Sequence, residues 1–353
     1  MPTSKSASSP LSSRRRFLSS CMSLSCAALA GGALGVDSLS GVLAAEPGER
    51  KEYNPIIPGA NADPEVLFSR KTGRVYVYPT SGRGGFCAWS SDNLVDWRDE
   101  GLVLAAKDIH WEHSKFWAPS IIEKKIGENE YRYYFYYCGN EKLGVAVGDD
   151  PAGPFTDVGE IVGHDLHPAG RPGVEIDPFA FLDPVSGKYY FYWGNSYLCV
   201  AELADDMTSL KRETIRDITP DNFFEGTYVF YRDGKYYLTW SKNDTRDPNY
   251  QVWIASSDSP TGPFVSPEKD PIILSKRPRK GILGPGHHSF LFLPNGENYI
   301  FYHRIIQPQP AGGWGRETCL DRVTFRPDGF IDVIEPTRRG VSEPVDLKSM
   351  VGR

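Results

Sequence analysis

Apolar and polar positions along the chain follow a repeat of roughly 55 residues, long enough for one supersecondary unit. Each copy opens with a short polar or proline-containing segment, continues with an apolar run, turns at a glycine and returns in a tyrosine-rich run. The copies open at five positions: Asp63, Ala118, Asp177, Glu225 and His287. Short apolar and aromatic runs bounded by turn residues predict β-strands, so each copy is expected to begin with a β-hairpin.

A second hairpin follows the first within the repeat. The segment Asp149–Phe155 matches Asp258–Phe264, and both contain Asp, Pro, Gly, Pro and Phe at the same spacing. Two hairpins per copy make a four-stranded sheet, and radial repetition of such sheets is typical of β-propellers rather than sandwiches. We therefore predict an all-β protein: a five-bladed β-propeller with four-stranded antiparallel blades, forming a single domain over residues 45–353.

The composition supports this fold and excludes several others. Of the 353 residues, 13% are aromatic and 24% are charged, and there are 35 Gly and 28 Pro. This mixture excludes a coiled coil, a helical bundle and a disordered chain, and it suits short strands joined by tight turns. The formal net charge is −6, and we expect no basic cluster beyond the N-terminus, which argues against a nucleic-acid partner.

The first 44 residues resemble an export signal of the twin-arginine type. Ser13–Leu18 contains consecutive arginines, and a small apolar stretch from Cys21 to Leu34 follows it. That stretch is too short and too rich in Ser, Gly and Ala for a membrane-spanning helix. We expect cleavage after Val42-Leu43-Ala44, a mature chain without a membrane span, and a periplasmic or secreted location. An ordinary secretory signal is the alternative.

Four cysteines remain after removal of this signal: Cys87, Cys138, Cys199 and Cys319. They lie far apart and form no Cys-x-x-Cys pair, so neither a zinc site nor a thioredoxin-type site is indicated. A chain that folds in a reducing cytosol before export does not acquire a disulfide framework. We therefore expect four buried, free thiols.

The openers of the five copies are the candidate functional residues. The first strand of each propeller blade lines the central axis, so the openers converge at one end of that axis. Three of them carry carboxyl groups, and the fifth is the pair His287-His288. Singly, Asp-Pro is a common turn starter and a histidine is often a hydrogen-bonded core residue. Charged groups gathered in one funnel are costly without a function, so their coincidence favours an active site.

Six short motifs resemble glycoside hydrolase family 43, the five-bladed inverting glycosidases. In chain order the motifs are Asn61–Pro64, Trp117–Pro119, Ile176–Pro178, Glu225-Gly226, Gly284–Ser289 and Gly315–Thr318. They extend over nearly the whole of the expected mature chain. One departure is Thr227, where the family usually has a proline after the glycine. This change affects the main chain after Glu225 and leaves its carboxyl group in place.

The resemblance implies catalytic roles for the three carboxyl groups. Asp63 would be the general base, Glu225 the general acid, and Asp177 the residue that raises the pKa of Glu225 and orients it. His287 would lie near an axial ion, commonly calcium with a water shell, although calcium prefers oxygen ligands. No organic cofactor is expected.

Three further residues are assigned to substrate binding: Arg316, Trp117 and His288. Arg316 resembles the active-site arginine of the family, and its alternative is a surface salt bridge with Glu317. Trp117 is the best-placed aromatic side chain to stack on a sugar ring.

We expect an exo-acting, inverting enzyme that releases terminal pentofuranosyl or related sugars from plant or microbial polysaccharides. Family base rates select an α-L-arabinofuranosidase, with a β-xylosidase and a galactofuranosidase or galactosidase as alternatives. The loops expected to determine specificity, such as residues 163–173 and 307–315, do not reveal the shape of the pocket.

Two other classes of protein are considered. A non-catalytic sugar-binding propeller is expected to have lost an opener carboxyl group, and none is lost here. Retaining fructan hydrolases of the related clan usually carry Asn-Asp-Pro-Asn-Gly, Arg-Asp-Pro and Glu-Cys motifs. This chain has Ala-Asp-Pro, Ile-Asp-Pro and Glu-Gly instead, which disfavours that reading.

Overall fold

A computed structural model describes residues 51–269, 271–310 and 315–351, which belong to one compact unit. Apart from strands, these residues contain five short 3₁₀ segments: Ala106–Asp108, His164–Leu166, Arg212–Thr214, Pro278–Lys280 and Lys348–Met350. No helix within the described ranges has the length and apolar character needed to cross a membrane. The expected export signal, residues 1–44, lies outside the described residues, so export remains a prediction.

The described strands form five antiparallel sheets that follow one another along the chain. Blade I contains β1 (Asn61–Ser69), β2 (Arg74–Ser81), β3 (Gly85–Ser91) and β4 (Arg98–Ala105). Blade II contains β5 (Phe116–Lys125), β6 (Tyr131–Gly139), β7 (Lys142–Gly148) and β8 (Thr156–Val162). Blade III contains β9 (Phe179–Leu182), β10 (Tyr189–Trp193), β11 (Cys199–Glu202) and β12 (Arg216–Asp217). Blade IV contains β13 (Glu225–Arg232), β14 (Lys235–Lys242), β15 (Gln251–Ser257) and β16 (Ile272–Leu274), and blade V contains β17 (Gly286–Phe292), β18 (Asn298–Ile305) and β19 (Arg316–Arg322).

The blades form a closed ring because apolar side chains pack between each neighbouring pair. Five buried clusters lie between blades I and II, II and III, III and IV, IV and V, and V and I. The second strands are buried on both faces, as in β6, where Tyr133 to Cys138 are all buried. The four cysteines among the described residues are free and buried, as predicted. The prediction of an all-β, five-bladed propeller is confirmed.

Blade V differs from the expected four-stranded form, since its sheet has three strands within the described residues. The chain before β1 lies along its edge: the main-chain N–H of Ile56 donates to the Thr318 carbonyl at 2.9 Å. The Asn54 side chain both donates to and accepts from the main chain of Leu320, at 3.0 and 2.8 Å. Pro55 and Pro58 have no N–H group, so this segment cannot form a regular ladder. The blade is therefore closed by scattered bonds rather than by a fourth strand.

Each inner strand has a residue with left-handed backbone geometry within two residues of its start. These residues, with φ between 41° and 64°, are Asp63, Ala118, Asp177, Gly226 and His287. The hydrogen-bond register shifts at this point in β1, β5, β13 and β17. Non-glycine residues in this region cost about 1–3 kcal/mol each and concentrate at functional sites. The repeat thus creates one specially shaped position per blade at the same end of the axis.

This geometry corrects the assumption that all five sequence openers are equivalent. Gly226, not Glu225, occupies the left-handed position of blade IV. Glu225 precedes it, as Trp117 precedes Ala118 in blade II. The opener of blade IV therefore lies one residue after Glu225, because glycine takes there the left-handed conformation that aspartate takes in blades I and III.

Candidate active site

Asp63 lies in a buried, positively charged environment. Nη1 of Arg316 donates to its Oδ1 at 2.6 Å, and Nδ1 of His303 and of His287 lie 3.1 and 3.4 Å from the same oxygen. Burial alone would raise the pKa of Asp63, but the neighbouring charge of Arg316 opposes burial, and the pKa of Asp63 is held well below its usual range. Asp63 is therefore an ionised carboxylate, as a general base requires.

His303 orients the main chain of Asp63. Its Nδ1 accepts the main-chain N–H of Asp63 at 3.2 Å, and its Nε2 lies 3.2 Å from Oγ1 of Thr245. Burial, and next the charge of Arg316, lower the pKa of His303 to about 3, so the imidazole is neutral. Its ring stacks on that of Tyr250 with centroids 5.4 Å apart, which links the surroundings of Asp63 to those of Glu225.

Glu225 is buried and receives two hydrogen bonds. The Tyr250 hydroxyl donates to Oε1 at 2.9 Å, and the Asn195 amide donates to Oε2 at 3.0 Å. Burial is the main cause that raises the pKa of Glu225 to about 7, and the charge of Asp63 raises it further. The hydrogen bonds from Tyr250 and Asn195 and the charge of Arg316 act in the opposite direction and lower this pKa. Glu225 therefore retains a proton in mildly acidic solution, as a general acid requires.

Asp177 lies beside the main chain that follows Glu225 and near His287, which also approaches Asp63. Its Oδ2 accepts the main-chain N–H of Gly226 at 2.8 Å, directly beside the acid, and lies 3.7 Å from Nδ1 of His287. Burial, followed by the charges of Glu225 and Asp63, raises the pKa of Asp177 well above its usual range. The three opener carboxyl groups are therefore close enough to influence one another's protonation.

Arg316 makes its ion pair with Asp63 and not with Glu317. Nη1 of Arg316 also donates to Oγ1 of Thr245 at 3.1 Å. Glu317 is paired instead with Nε of Arg304 at 2.7 Å. The two residues are adjacent in β19, where successive side chains point to opposite faces. The surface salt bridge considered for Arg316 does not form.

Within the described residues, neither Trp117 nor His288 forms a hydrogen bond or an ion pair with the three opener carboxyl groups. Trp117 is partly buried against the apolar cluster between blades II and III. His288 is buried between blades IV and V, where Nε2 lies 2.6 Å from Oγ1 of Thr239 and the ring packs on Phe290. His288 follows the left-handed residue of its strand, so its side chain turns between the blades rather than toward Asp63. Roles of these two residues in substrate binding remain predictions.

Four residues of this site were missed from the sequence: Asn195, Thr245, Tyr250 and His303. The first three lie between the second and third strands of blades III and IV. These connections are at the same end of the axis as the openers, because the second strand runs antiparallel to the first. A search of those connections for polar side chains could have identified them.

An axial calcium ion also remains a prediction. Nδ1 of His287 faces Asp63 and Asp177, whose carboxyl oxygens already contact Arg316 and the main-chain N–H of Gly226. Within the described ranges, no three His, Cys, Asp or Glu side chains are grouped so that they could hold a metal. The direct donor set does not fit calcium, which takes six to eight oxygen ligands, so water would have to supply most of them.

Three comparisons place this geometry among known proteins. A β-D-galactofuranosidase of Aspergillus niger is 34% identical over 317 residues, covering 85% of this chain and 90% of that protein. The crystal structure of a thermostable family-43 glycoside hydrolase has a TM-score of 0.66 and 32% identity, covering 81% of this chain and 96% of that one. An α-L-arabinofuranosidase structure from Clostridium thermocellum has a TM-score of 0.65 and 29% identity, covering 80% and 96% of the two chains.

The family profile named Glycosyl hydrolases family 43 matches residues 53–331. This range begins before β1 and ends after β19, so it includes all five blades and all three opener carboxyl groups. The chain therefore belongs to glycosyl hydrolase family 43 and is a glycoside hydrolase.

Proposed function

We propose that this enzyme hydrolyses terminal glycosidic bonds by inversion, with Asp63 as the general base and Glu225 as the general acid. The observation that carries the proposal is the opposite perturbation of two buried carboxyl groups in one site. The pKa of Asp63 is held well below its usual range, whereas that of Glu225 is raised to about 7. Two carboxyl groups with separated pKa values divide into a base and an acid at the same pH.

The reaction follows from these protonation states. Asp63 takes a proton from a water molecule as the water oxygen attacks the anomeric carbon. Glu225 gives its proton to the leaving oxygen as the bond between that oxygen and the anomeric carbon breaks. Arg316 holds the Asp63 carboxylate through Oδ1, and Asp177 holds the main chain beside Glu225. After product release, one proton moves from Asp63 to Glu225 through solvent, which restores the starting state.

The stereochemistry of the product tests this assignment. Attack by water on the face opposite the leaving group inverts the anomeric carbon, and inverting enzymes separate their two carboxyl groups by about 6.5–9.5 Å to admit that water. We expect ¹H NMR during the first minutes of hydrolysis to show the anomer opposite to that of the substrate. A first-formed product that retains the substrate's configuration would contradict the roles of Asp63 and Glu225.

Replacement of Asp177 by asparagine is expected to shift the pH dependence of the reaction. Glu225 must carry its proton, so activity falls as pH rises through its pKa. Asp177 and Glu225 would repel each other if both were ionised, because both are buried and adjacent. The pair therefore loses its last proton only at a higher pH than a single carboxyl group would. Removing the Asp177 charge should therefore move the alkaline limb of the kcat/KM profile to lower pH. An unchanged limb would show that Asp177 acts only through its hydrogen bond to Gly226.

For the substrate, we propose a terminal β-D-galactofuranosyl unit, with α-L-arabinofuranosyl as the second candidate. The first candidate rests on the 34% identity to the Aspergillus niger β-D-galactofuranosidase. This similarity is a more specific argument than the family base rate that favoured an arabinofuranosidase. The second rests on the 29% identity to the α-L-arabinofuranosidase from Clostridium thermocellum. The two units share the configuration of every ring carbon. They differ at C4, which carries a two-carbon side chain in galactofuranose and a single hydroxymethyl group in arabinofuranose.

A panel of 4-nitrophenyl glycosides separates these candidates. The panel contains the β-D-galactofuranoside, the α-L-arabinofuranoside and the β-D-xylopyranoside, and kcat/KM is measured for each. We expect the two furanosides to exceed the xyloside, with the galactofuranoside first. Asp63→Asn serves as the control that the activity belongs to this site. Preference for the xyloside would overturn the furanoside proposal without affecting the assignment of acid and base.

A further inference from the structure

A basic hairpin lies between blades IV and V. Four of the five residues at positions 276–280 are cationic, in the run Lys-Arg-Pro-Arg-Lys. Arg277 pairs with Ile282 across the hairpin, and Gly281 has the left-handed geometry of its turn. The expectation that no basic cluster lies beyond the N-terminus is therefore wrong. In a chain of net charge −6, this hairpin is a local concentration of positive charge.

Most of this positive charge is not neutralised within the described residues. Lys280 pairs with Glu335 at 2.9 Å, while Lys276 donates to the neutral side-chain oxygen of Asn249. Arg279 is exposed and has no salt bridge in the part of the chain that the structure describes. Nε of Arg277 is buried and lacks a hydrogen-bond partner among the same residues. The exposed Lys276 ammonium and Arg279 guanidinium groups are thus available to an external anion.

The hairpin lies at the same end of the propeller as the catalytic carboxyl groups. It connects β16, the outer strand of blade IV, to β17, whose opener is His287. The main-chain N–H of Gly284, just after the hairpin, donates to the Pro248 carbonyl at 3.0 Å. Pro248 and Asn249 belong to the connection that carries Tyr250, the hydrogen-bond partner of Glu225. The basic surface is therefore continuous with the rim of the active site.

A shallow cavity of about 470 Å³ lies on this hairpin. Its lining is Lys276, Arg277, Pro278, Arg279, Lys280 and Glu335. Arginine and lysine side chains around one depression suit a planar carboxylate, which a guanidinium group can bind through two parallel hydrogen bonds.

We propose that the basic hairpin binds the carboxylate groups of uronate residues in the polysaccharide that bears the scissile furanosyl unit. This inference rests on the proposed function, since it concerns the part of the same substrate that lies beyond the leaving oxygen. A uronic-acid polymer supplies regularly spaced carboxylates, which complement a basic surface beside a site for terminal sugars. An anionic membrane is the less suitable partner, because surfaces that bind membranes also present large apolar side chains. Among residues 276–282, none of the exposed side chains is a large apolar one.

The test compares two matched charge reversals, Arg279→Glu and Lys348→Glu. Both positions are exposed. Lys348 lies in the last 3₁₀ turn, which packs near the β1–β2 turn. That turn is at the opposite end of β1 from Asp63, so Lys348 serves as a control position far from the active site. Binding is measured by affinity electrophoresis and calorimetry with sodium polygalacturonate, and with a neutral β-galactan as the reference polymer. We expect Arg279→Glu to weaken polygalacturonate binding by about 3- to 10-fold, because an exposed ion pair is lost and a repulsive charge takes its place, while Lys348→Glu binds as the wild type does. Wild-type binding should also weaken between about 50 and 200 mM NaCl, because exposed charges are screened.

Three outcomes would overturn the proposal. The first is equal polygalacturonate binding by the wild type and Arg279→Glu, or equal loss in both reversals. The second is equal wild-type binding to polygalacturonate and to the neutral galactan. The third is that the wild type binds phosphatidylglycerol vesicles, and that Arg279→Glu loses this binding but still binds polygalacturonate. That result would identify the hairpin as a membrane-binding surface. The double variant Lys276→Ser/Arg279→Ser repeats the test if the charge reversal lowers the melting temperature. Hydrolysis of the aryl furanosides by the wild type tests the proposed function separately, so the two failures are distinguishable.

Discussion

Replacing Asp63 by alanine is expected to abolish hydrolysis of activated and natural substrates together. The attacking water loses its base whichever leaving group is present, and general-base assistance is worth about 10²–10⁴-fold in kcat. The measurement is kcat for a 4-nitrophenyl furanoside and for a disaccharide with the same terminal unit. Azide needs no deprotonation, so added sodium azide should restore release of 4-nitrophenol and yield the inverted glycosyl azide.

The control for this prediction is Asp63→Asn, which keeps an oxygen for Arg316 but cannot accept the proton. It should lose as much activity as the alanine variant, with a melting temperature closer to that of the wild type, because the partly buried guanidinium group of Arg316 keeps a hydrogen-bond partner. If either variant kept most of its activity toward the activated furanoside without azide, Asp63 would not be the base.

Replacing Glu225 by alanine is expected to separate the two substrates instead. The alkoxide of a disaccharide needs a proton to leave, so its hydrolysis should fall by about 10²–10⁴-fold. A 4-nitrophenolate leaves without protonation, so much of the activity toward the activated furanoside should remain. The alkaline limb of the pH profile near neutrality, which reports the raised pKa of Glu225, should disappear for the activated furanoside.

Glu225→Gln is the matched control, since its amide oxygen can still accept one of the two hydrogen bonds that Tyr250 and Asn195 donate to Glu225, while its NH2 group has no acidic proton to give. It should reproduce the difference between the two leaving groups. Equal loss of both substrates in the Glu225 variants, combined with retention of the activated one in Asp63→Ala, would mean that acid and base are interchanged.

Much of this protein was predictable from the order of its residues, because a propeller repeats. Each blade must bury an apolar inner strand and a tyrosine-rich second strand against its neighbours, and that requirement appears as a repeat in the chain. The same repetition implied that Asp63, Asp177 and Glu225 meet at one end of the axis. They do lie together: Nδ1 of His287 is 3.4 Å from Asp63 and 3.7 Å from Asp177, and Asp177 accepts the main-chain N–H of Gly226, the residue after Glu225.

The tertiary structure alone decided which atoms complete the site. Asn195 and Tyr250 contact Glu225 from positions 30 and 25 residues away along the chain, in connections whose sequences carry no repeat. His303 reaches Asp63 across 240 residues because the ring closes between blades V and I. The pKa values of the carboxyl groups likewise depend on burial and on charges brought together only by that closure. Hydrophobic periodicity encodes how strands pack on their neighbours. Local backbone geometry sets the position of Glu225, one residue before the left-handed Gly226, and the hydrophobic periodicity carries no information about that geometry.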